Sequence, residues 1–118
     1  MLTEAQEQVA LFKWIEIQSI RHPELALCHA IPNGGSRNKI EAVHLKMQGV
    51  KQGIPDICLP VPRGAYHGLY IELKRRKGGR LSKAQMEMII ALRDQGYCAE
   101  VCQGCDEAAE LIKHYLGI

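Results

Sequence analysis

Three side chains in the middle of the chain, Asp56, Glu72 and Lys74, have the types and spacing to do chemistry together. They lie on two short apolar segments, "IPDICLP" and "GLYIELK", whose connection "VPRGAYH" is short enough to make an antiparallel hairpin. Period-two arithmetic puts Ile54, Asp56 and Cys58 on one face of the first strand, and Glu72 and Lys74 together on one face of the second. Where those faces coincide, two carboxylates meet beside an ammonium group. Carboxylates that close repel unless a cation or a proton lies between them. An all-oxygen site of this kind suits Mg²⁺ or Mn²⁺. Such a cation polarises a phosphoryl oxygen and acidifies a bound water, which is the chemistry of phosphate-ester hydrolysis. Lys74 then orients the attacking water or stabilises developing negative charge. Proton abstraction by it would need a lowered pKa, which a neighbouring carboxylate opposes. Taken singly, Glu72 and Lys74 also fit a solvated ion pair, and Asp56 a carboxylate near a turn.

The surroundings favour a polyanionic partner. Six basic residues (Lys74, Arg75, Arg76, Lys77, Arg80 and Lys83) fall within one ten-residue stretch that has no acidic residue, and Arg37, Lys39, Lys46 and Lys51 precede it. The net charge is only +2, so this is a local feature of the middle of the chain. A solvated loop is the alternative. Arg75, Arg76, Lys77 and Arg80 extend directly from the second strand and are the candidates for backbone phosphates, with Arg37 and Lys39 as further contacts. The "NGGS" at 33–36 reads as a turn, or as backbone N–H groups offered to a phosphate at a helix start. No base-reading element is evident, which implies recognition by shape.

The elements that must position these residues follow from caps and periodicity. Thr3 and Gln6 form a capping box for a helix running to about Ser19, with Val9, Phe12 and Ile15 as its core residues. Pro23 closes that segment, and "LALCHAI" (25–31) reads as a short strand. Ser36 is the expected cap of a second helix that carries Ile40, Val43 and Met47 and stops at Gly49. Beyond the hairpin, Ser82 and Gln85 make another capping box for a helix ending at Gln95–Gly96. "YCAEVC" is a strand, and Asp106 is the expected cap of a last helix bearing Ala109, Ile112 and Leu116. The order α-β-α-β-β-α-β-α implies an α/β fold with one mixed sheet and helices packed on it.

At 118 residues and 47% hydrophobic content, the chain is expected to be one domain, residues 1–118, with a core of its own. No stretch is apolar enough to span a bilayer, and "MLTEAQEQVA" carries acidic residues where a signal peptide needs basic ones, so a cytoplasmic protein is expected. Five cysteines, an odd number, make a poor disulfide framework. Cys98, Cys102 and Cys105 suggest half of a zinc knuckle, or simply small apolar side chains. The basic loop and the lack of a nucleotide fingerprint argue against a hydrolase of small phosphorylated molecules.

Pro55-Asp56 followed by Glu72-Leu73-Lys74 resembles the PD-(D/E)XK nuclease superfamily. With "NGGSRNKIEAVHLKMQGVKQGIPD", "GLYIELKR", "LSKAQ" and "QGYCAEVC" in order, nearly the whole chain resembles a stand-alone VRR-NUC domain. The resemblance implies a restriction-endonuclease-like core, Mg²⁺ or Mn²⁺ dependence, and hydrolysis of phosphodiester bonds in structured DNA such as flaps or four-way (Holliday) junctions. It implies Asp56 and Glu72 as metal ligands with the backbone carbonyl of Leu73, and Lys74 as the catalytic lysine. It also places Glu7 where relatives contribute an acidic residue from the first helix, although Glu7 equally fits an exposed helix face near Glu4. Gln85 matches a glutamine that relatives place on the helix after the motif, although capping alone accounts for it. A catalytically inactive DNA-binding module on the same fold is the alternative function. Coordinated cutting of two strands by so small a domain calls for a symmetric homodimer.

Overall fold

A computed structural model describes residues 1–32 and 38–118. The elements are α1 (Glu4–Gln18), a 3₁₀ turn (Pro23–Leu27), β1 (His29–Ala30), α2 (Lys39–Met47), β2 (Ile57–Leu59), β3 (Leu69–Lys74), α3 (Lys83–Asp94), β4 (Cys98–Gln103) and α4 (Cys105–Leu116). Their order is the one the sequence implies. The strands form one sheet, β1-β2-β3-β4, antiparallel from β1 to β3 and parallel between β3 and β4. Parallel pairing of β3 with β4 needs a crossover, and α3 supplies it. The result is an α/β fold, a mixed four-stranded sheet flanked by helices.

Side-chain alternation divides the sheet. Ile57 pairs with Ile71 and Leu59 with Leu69, and these residues join Leu73, Cys102, Leu11, Ile15, Ala108 and Ile112 in the core beneath α1 and α4. Cys58 pairs with Tyr70 on the opposite face. Continuing that register places Asp56 opposite Glu72, so the carboxylates share a face as the period-two argument requires.

Both capping boxes form: Thr3 with Gln6 at α1, and Ser82 with Gln85 at α3. Elsewhere the details differ from expectation. In α1 the buried positions are Glu7, Leu11 and Ile15, while Val9 is 57% exposed and Phe12 only half-buried. A carboxylate at the head of the true i, i+4, i+8 stripe disguises it in the sequence. In "LALCHAI" only His29 and Ala30 are strand, because the turn that starts at Pro23 continues through Leu27 and buries Leu25. The second helix is capped by Asn38, whose side chain accepts the Glu41 N–H at 2.7 Å. Ser36, the expected cap, lies outside the described residues, as do the rest of the "NGGS" segment and Arg37. Spacing predicts the α2 helix correctly, yet none of its residues is buried, and Ile40 is 72% exposed. Gly104, not Asp106, is the N-cap of α4: its φ of +93° suits glycine, and a Cβ there would lie 2.8 Å from Arg76 Cγ. Asp106 falls in the first turn instead. No helix among the described residues is long and apolar enough to cross a membrane.

Candidate active site

Asp56 is held at the mouth of β2 by a loop that only glycine can make. At Gly53, φ is +88° and an added Cβ would lie 2.5 Å from the Ala84 carbonyl oxygen and 2.9 Å from Gln85 N, so the loop lies directly against the first turn of α3. Asp56 then follows buried Pro55, and its backbone carbonyl accepts the Ile31 N–H at 2.7 Å. Its side-chain Oδ2 accepts the Leu73 N–H at 2.8 Å, which aims the carboxylate at the exit of β3.

Glu72 enters the same space from β3. It is 1% exposed, and among the described residues neither carboxylate oxygen has a hydrogen-bond partner. The nearest cation, Lys74 Nζ, is 3.7 Å from Oε2. Burial, and after it the neighbouring Asp56 carboxylate, push the Glu72 carboxyl up to about 9. A buried carboxylate with no donors is costly and calls for a counter-charge.

Lys74 is buried, and its Nζ donates to Gln85 Oε1 at 3.1 Å. The same oxygen accepts the Ser82 N–H at 2.9 Å as part of the capping box. Capping and positioning are thus one arrangement, and the residue that starts α3 also holds the lysine.

The acidic residue that α1 brings to this group is Glu4. One oxygen each of Glu4, Asp56 and Glu72 can lie within 4.8 Å of one another, the sole such group of acidic, histidine or cysteine ligands among the described residues. Glu4 itself is exposed at the rim, and partial desolvation beside the other carboxylates raises its carboxyl above the ordinary range, partly offset by Lys74. Glu7, the expected contributor, is turned into the protein. Its Oε2 accepts Arg76 Nε at 3.0 Å and its Oε1 accepts the Cys105 N–H at 3.0 Å. That N–H first, and Arg76 after it, hold the Glu7 carboxyl below the ordinary range against the opposing effect of burial. The signal that separates the two glutamates is in the sequence: Glu7 heads the Leu11–Ile15 stripe, which leaves Glu4 at the rim.

The basic residues also divide. A cleft of about 410 Å³ beside the carboxylates is lined by Thr3, Glu4, Lys74, Arg75, Gly79 and Arg80. Arg75, Lys77 and Arg80 are exposed, and so is Lys39 at the start of α2. Arg76 differs from its neighbours: besides Glu7, its guanidinium reaches Asp106 at 3.2 Å and Cys105 Sγ at 3.7 Å. Its charge is thus shared between Glu7 and Asp106, although the side chain keeps 45% exposure. The cysteines are all free thiols, and Cys102 is buried in the core, where burial pushes it up to about 12. Among the described residues the Cys98, Cys102 and Cys105 thiols belong to no metal-ligand group, which speaks against the zinc-knuckle reading.

The donor set fits a hard divalent cation. The available ligands are carboxylate oxygens, those of Glu72 buried and unpartnered among the described residues. Glu4, Asp56 and Glu72 are the residues able to hold such an ion.

No curated protein matches the chain significantly. Among solved structures, a protein titled "VRR_NUC domain protein" superposes with a TM-score of 0.87 at 36% identity, over 99% of this chain and 90% of that one. The sequence profile of the VRR-NUC domain matches residues 2–106, a span that holds Glu4, Asp56, Glu72, Lys74 and Gln85. The chain belongs to the VRR-NUC domain family of nucleases.

Proposed function

We propose that this chain is a Mg²⁺- or Mn²⁺-dependent deoxyribonuclease, a single domain over residues 1–118 that hydrolyses phosphodiester bonds in structured DNA of the four-way-junction or flap type. The observation that carries the reading is Glu72, a buried carboxylate without hydrogen-bond partners among the described residues that faces Asp56 and Glu4 beside a lysine. Glu4, Asp56 and Glu72 would hold the cation, together with the Leu73 carbonyl, which shares a strand edge with the Leu73 N–H that binds Asp56. When bound, the cation supplies Lewis acidity toward the phosphoryl oxygens and acidifies water.

The remaining work belongs to the chain. Lys74, fixed between Gln85 and Glu72, presents donor protons to the attacking water or to a phosphoryl oxygen that gains charge. Gln85 is a positioning residue, since it touches the lysine and not the cleft floor. Arg75 and Arg80 line the cleft and, with Lys77, neutralise phosphates leading away from the scissile bond. Lys39, and Arg37 from outside the described residues, extend that contact. Charges that meet the backbone and no base-reading element favour recognition by shape. One site per chain leads us to propose a symmetric homodimer for coordinated cutting of two strands. Five free thiols suit a reducing, cytoplasmic setting.

The test is cleavage of labelled single-strand, duplex, flap and four-way-junction DNA with Mg²⁺, Mn²⁺ or EDTA. Metal-dependent cutting of the branched substrates, abolished in folded Asp56→Ala, Glu72→Ala and Lys74→Ala proteins, is the expected result. Undiminished cutting by Glu72→Ala refutes the site. Binding of branched DNA without cleavage of any substrate makes the protein an inactive DNA-binding module. Sedimentation as a monomer, with and without a junction, refutes the homodimer.

A further inference from the structure

We propose that Glu7 and Arg76 act as a positioning pair that sets where the Glu4 carboxylate stands relative to Asp56 and Glu72. The proposal rests on the metal-dependent reading above and adds to it two residues outside the Glu4, Asp56 and Glu72 group.

Glu4 is exposed, and among the described residues its carboxylate makes no hydrogen bond or salt bridge. Its place is therefore set by the backbone of the first turn of α1. First turns fray, because their N–H groups lack helical partners. The Thr3–Gln6 capping box stiffens this turn, but both of its bonds are local and leave open where the turn points. Glu7 supplies the direction. It lies three residues after Glu4, close to it around the helix, and it is fully buried. One of its oxygens accepts the N–H of Cys105, the first residue of α4, where a negative charge also complements the helix dipole. The other accepts Nε of Arg76, two residues beyond Lys74 on the same chain segment. Arg76 completes the tie through Asp106, in the first turn of α4.

The first turn of α1, the exit of β3 and the start of α4 are thus joined at one carboxylate. Only from Leu11 onward does apolar packing anchor α1. An ion pair with one buried partner and one at the surface seldom adds much net stability over apolar packing. Its use is geometric, and here it holds the turn that carries Glu4 at the rim of the site.

The experiment is Mn²⁺ affinity, read from the spectrum of free Mn²⁺, for wild type, Glu4→Gln, Glu7→Gln and the double variant. Each single change is expected to weaken Mn²⁺ binding roughly tenfold, the loss typical of a residue that orients a ligand. The double variant should bind within about twofold of Glu4→Gln alone, because a positioning residue has nothing left to position. Arg76→Gln passes through the same cycle, so a Glu7→Gln protein that fails to fold leaves the question decided by its partner. Arg76→Lys keeps the ion pair and should recover most of the affinity, which a loss of packing alone would not allow. Unchanged affinity in folded Glu7→Gln and Arg76→Gln overturns the proposal. So does an equal loss in the presence and absence of Glu4. Unchanged affinity in Glu4→Gln overturns the metal assignment of Glu4 and the pair with it.

Discussion

Replacing Glu72 by Gln should stabilise the metal-free protein while destroying its activity. Glu72 is buried, its oxygens have no donors among the described residues, and its carboxyl is pushed up to about 9 by burial and then by Asp56. The folded pKa is raised above the unfolded one, so the folded state holds a proton that the unfolded chain releases. Stability from this source is intact below the ordinary carboxyl range and is lost as pH rises toward about 9. Each pH unit in that window removes at most about 1.4 kcal/mol. Lys74, 3.7 Å away, and water in the adjoining cleft reduce that ceiling. A gain of about 1–3 kcal/mol for Glu72→Gln near pH ~8 is the reasonable magnitude, with well under ~1 kcal/mol near pH ~5.5. For a chain this size, ~1 kcal/mol corresponds to roughly 4 °C in Tm. Thermal unfolding in EDTA at the two pH values should therefore show the Tm advantage of Glu72→Gln growing from a degree or two to about 4–12 °C. Adding Mn²⁺ should raise the Tm of wild type and leave the variant nearly unmoved. A Tm difference independent of pH, or a variant less stable than wild type at the higher pH, would refute the claim that this carboxylate is a strained metal ligand.

The same carboxyl makes cation binding a proton exchange. Near neutral pH Mn²⁺ should release about one proton, measurable by calorimetry in buffers of different ionisation enthalpy, and affinity should climb with pH until about 9; constant affinity between pH ~6 and ~8 would contradict it. Gly53→Ala faces both the positive φ and the Ala84 and Gln85 backbone, so it should cost about 2–4 kcal/mol in thermal unfolding and lower cleavage in parallel. An unshifted Tm would mean the loop does not depend on that close approach. Among the basic residues, Arg75→Ala and Arg80→Ala should each reduce the salt dependence of DNA binding by about one unit of slope, and Arg76→Ala should not. A reduced slope for Arg76→Ala alone would reverse their assigned roles.

How much of this was legible in the sequence depends on whether a residue's role is local. The capping boxes, the element order and the shared face of Asp56 and Glu72 follow from spacing of a few residues and from strand period, and the structure has all of them. Roles that depend on distant partners were not legible in the same way. Glu7 accepts an N–H from Cys105, 98 residues away, and an Arg76 bond from 69 residues away, and no local pattern announces either. Its burial in turn hid the Leu11–Ile15 stripe and moved the expected core to Val9. Arg76 shows the same limit from the other side. In a run of arginine and lysine it reads as one more phosphate contact, and only the fold reveals its ion pairs with Glu7 and Asp106. Glu4 and Glu7 therefore form one problem. A helix that brings two glutamates to its first turn can bury one and leave the other at the rim, and the apolar residues four and eight positions further on decide which. With Glu7 committed to the core, Glu4 is the carboxylate free to face Asp56 and Glu72, and Arg75 lines the cleft beside them while Arg76 pairs with Glu7 and Asp106.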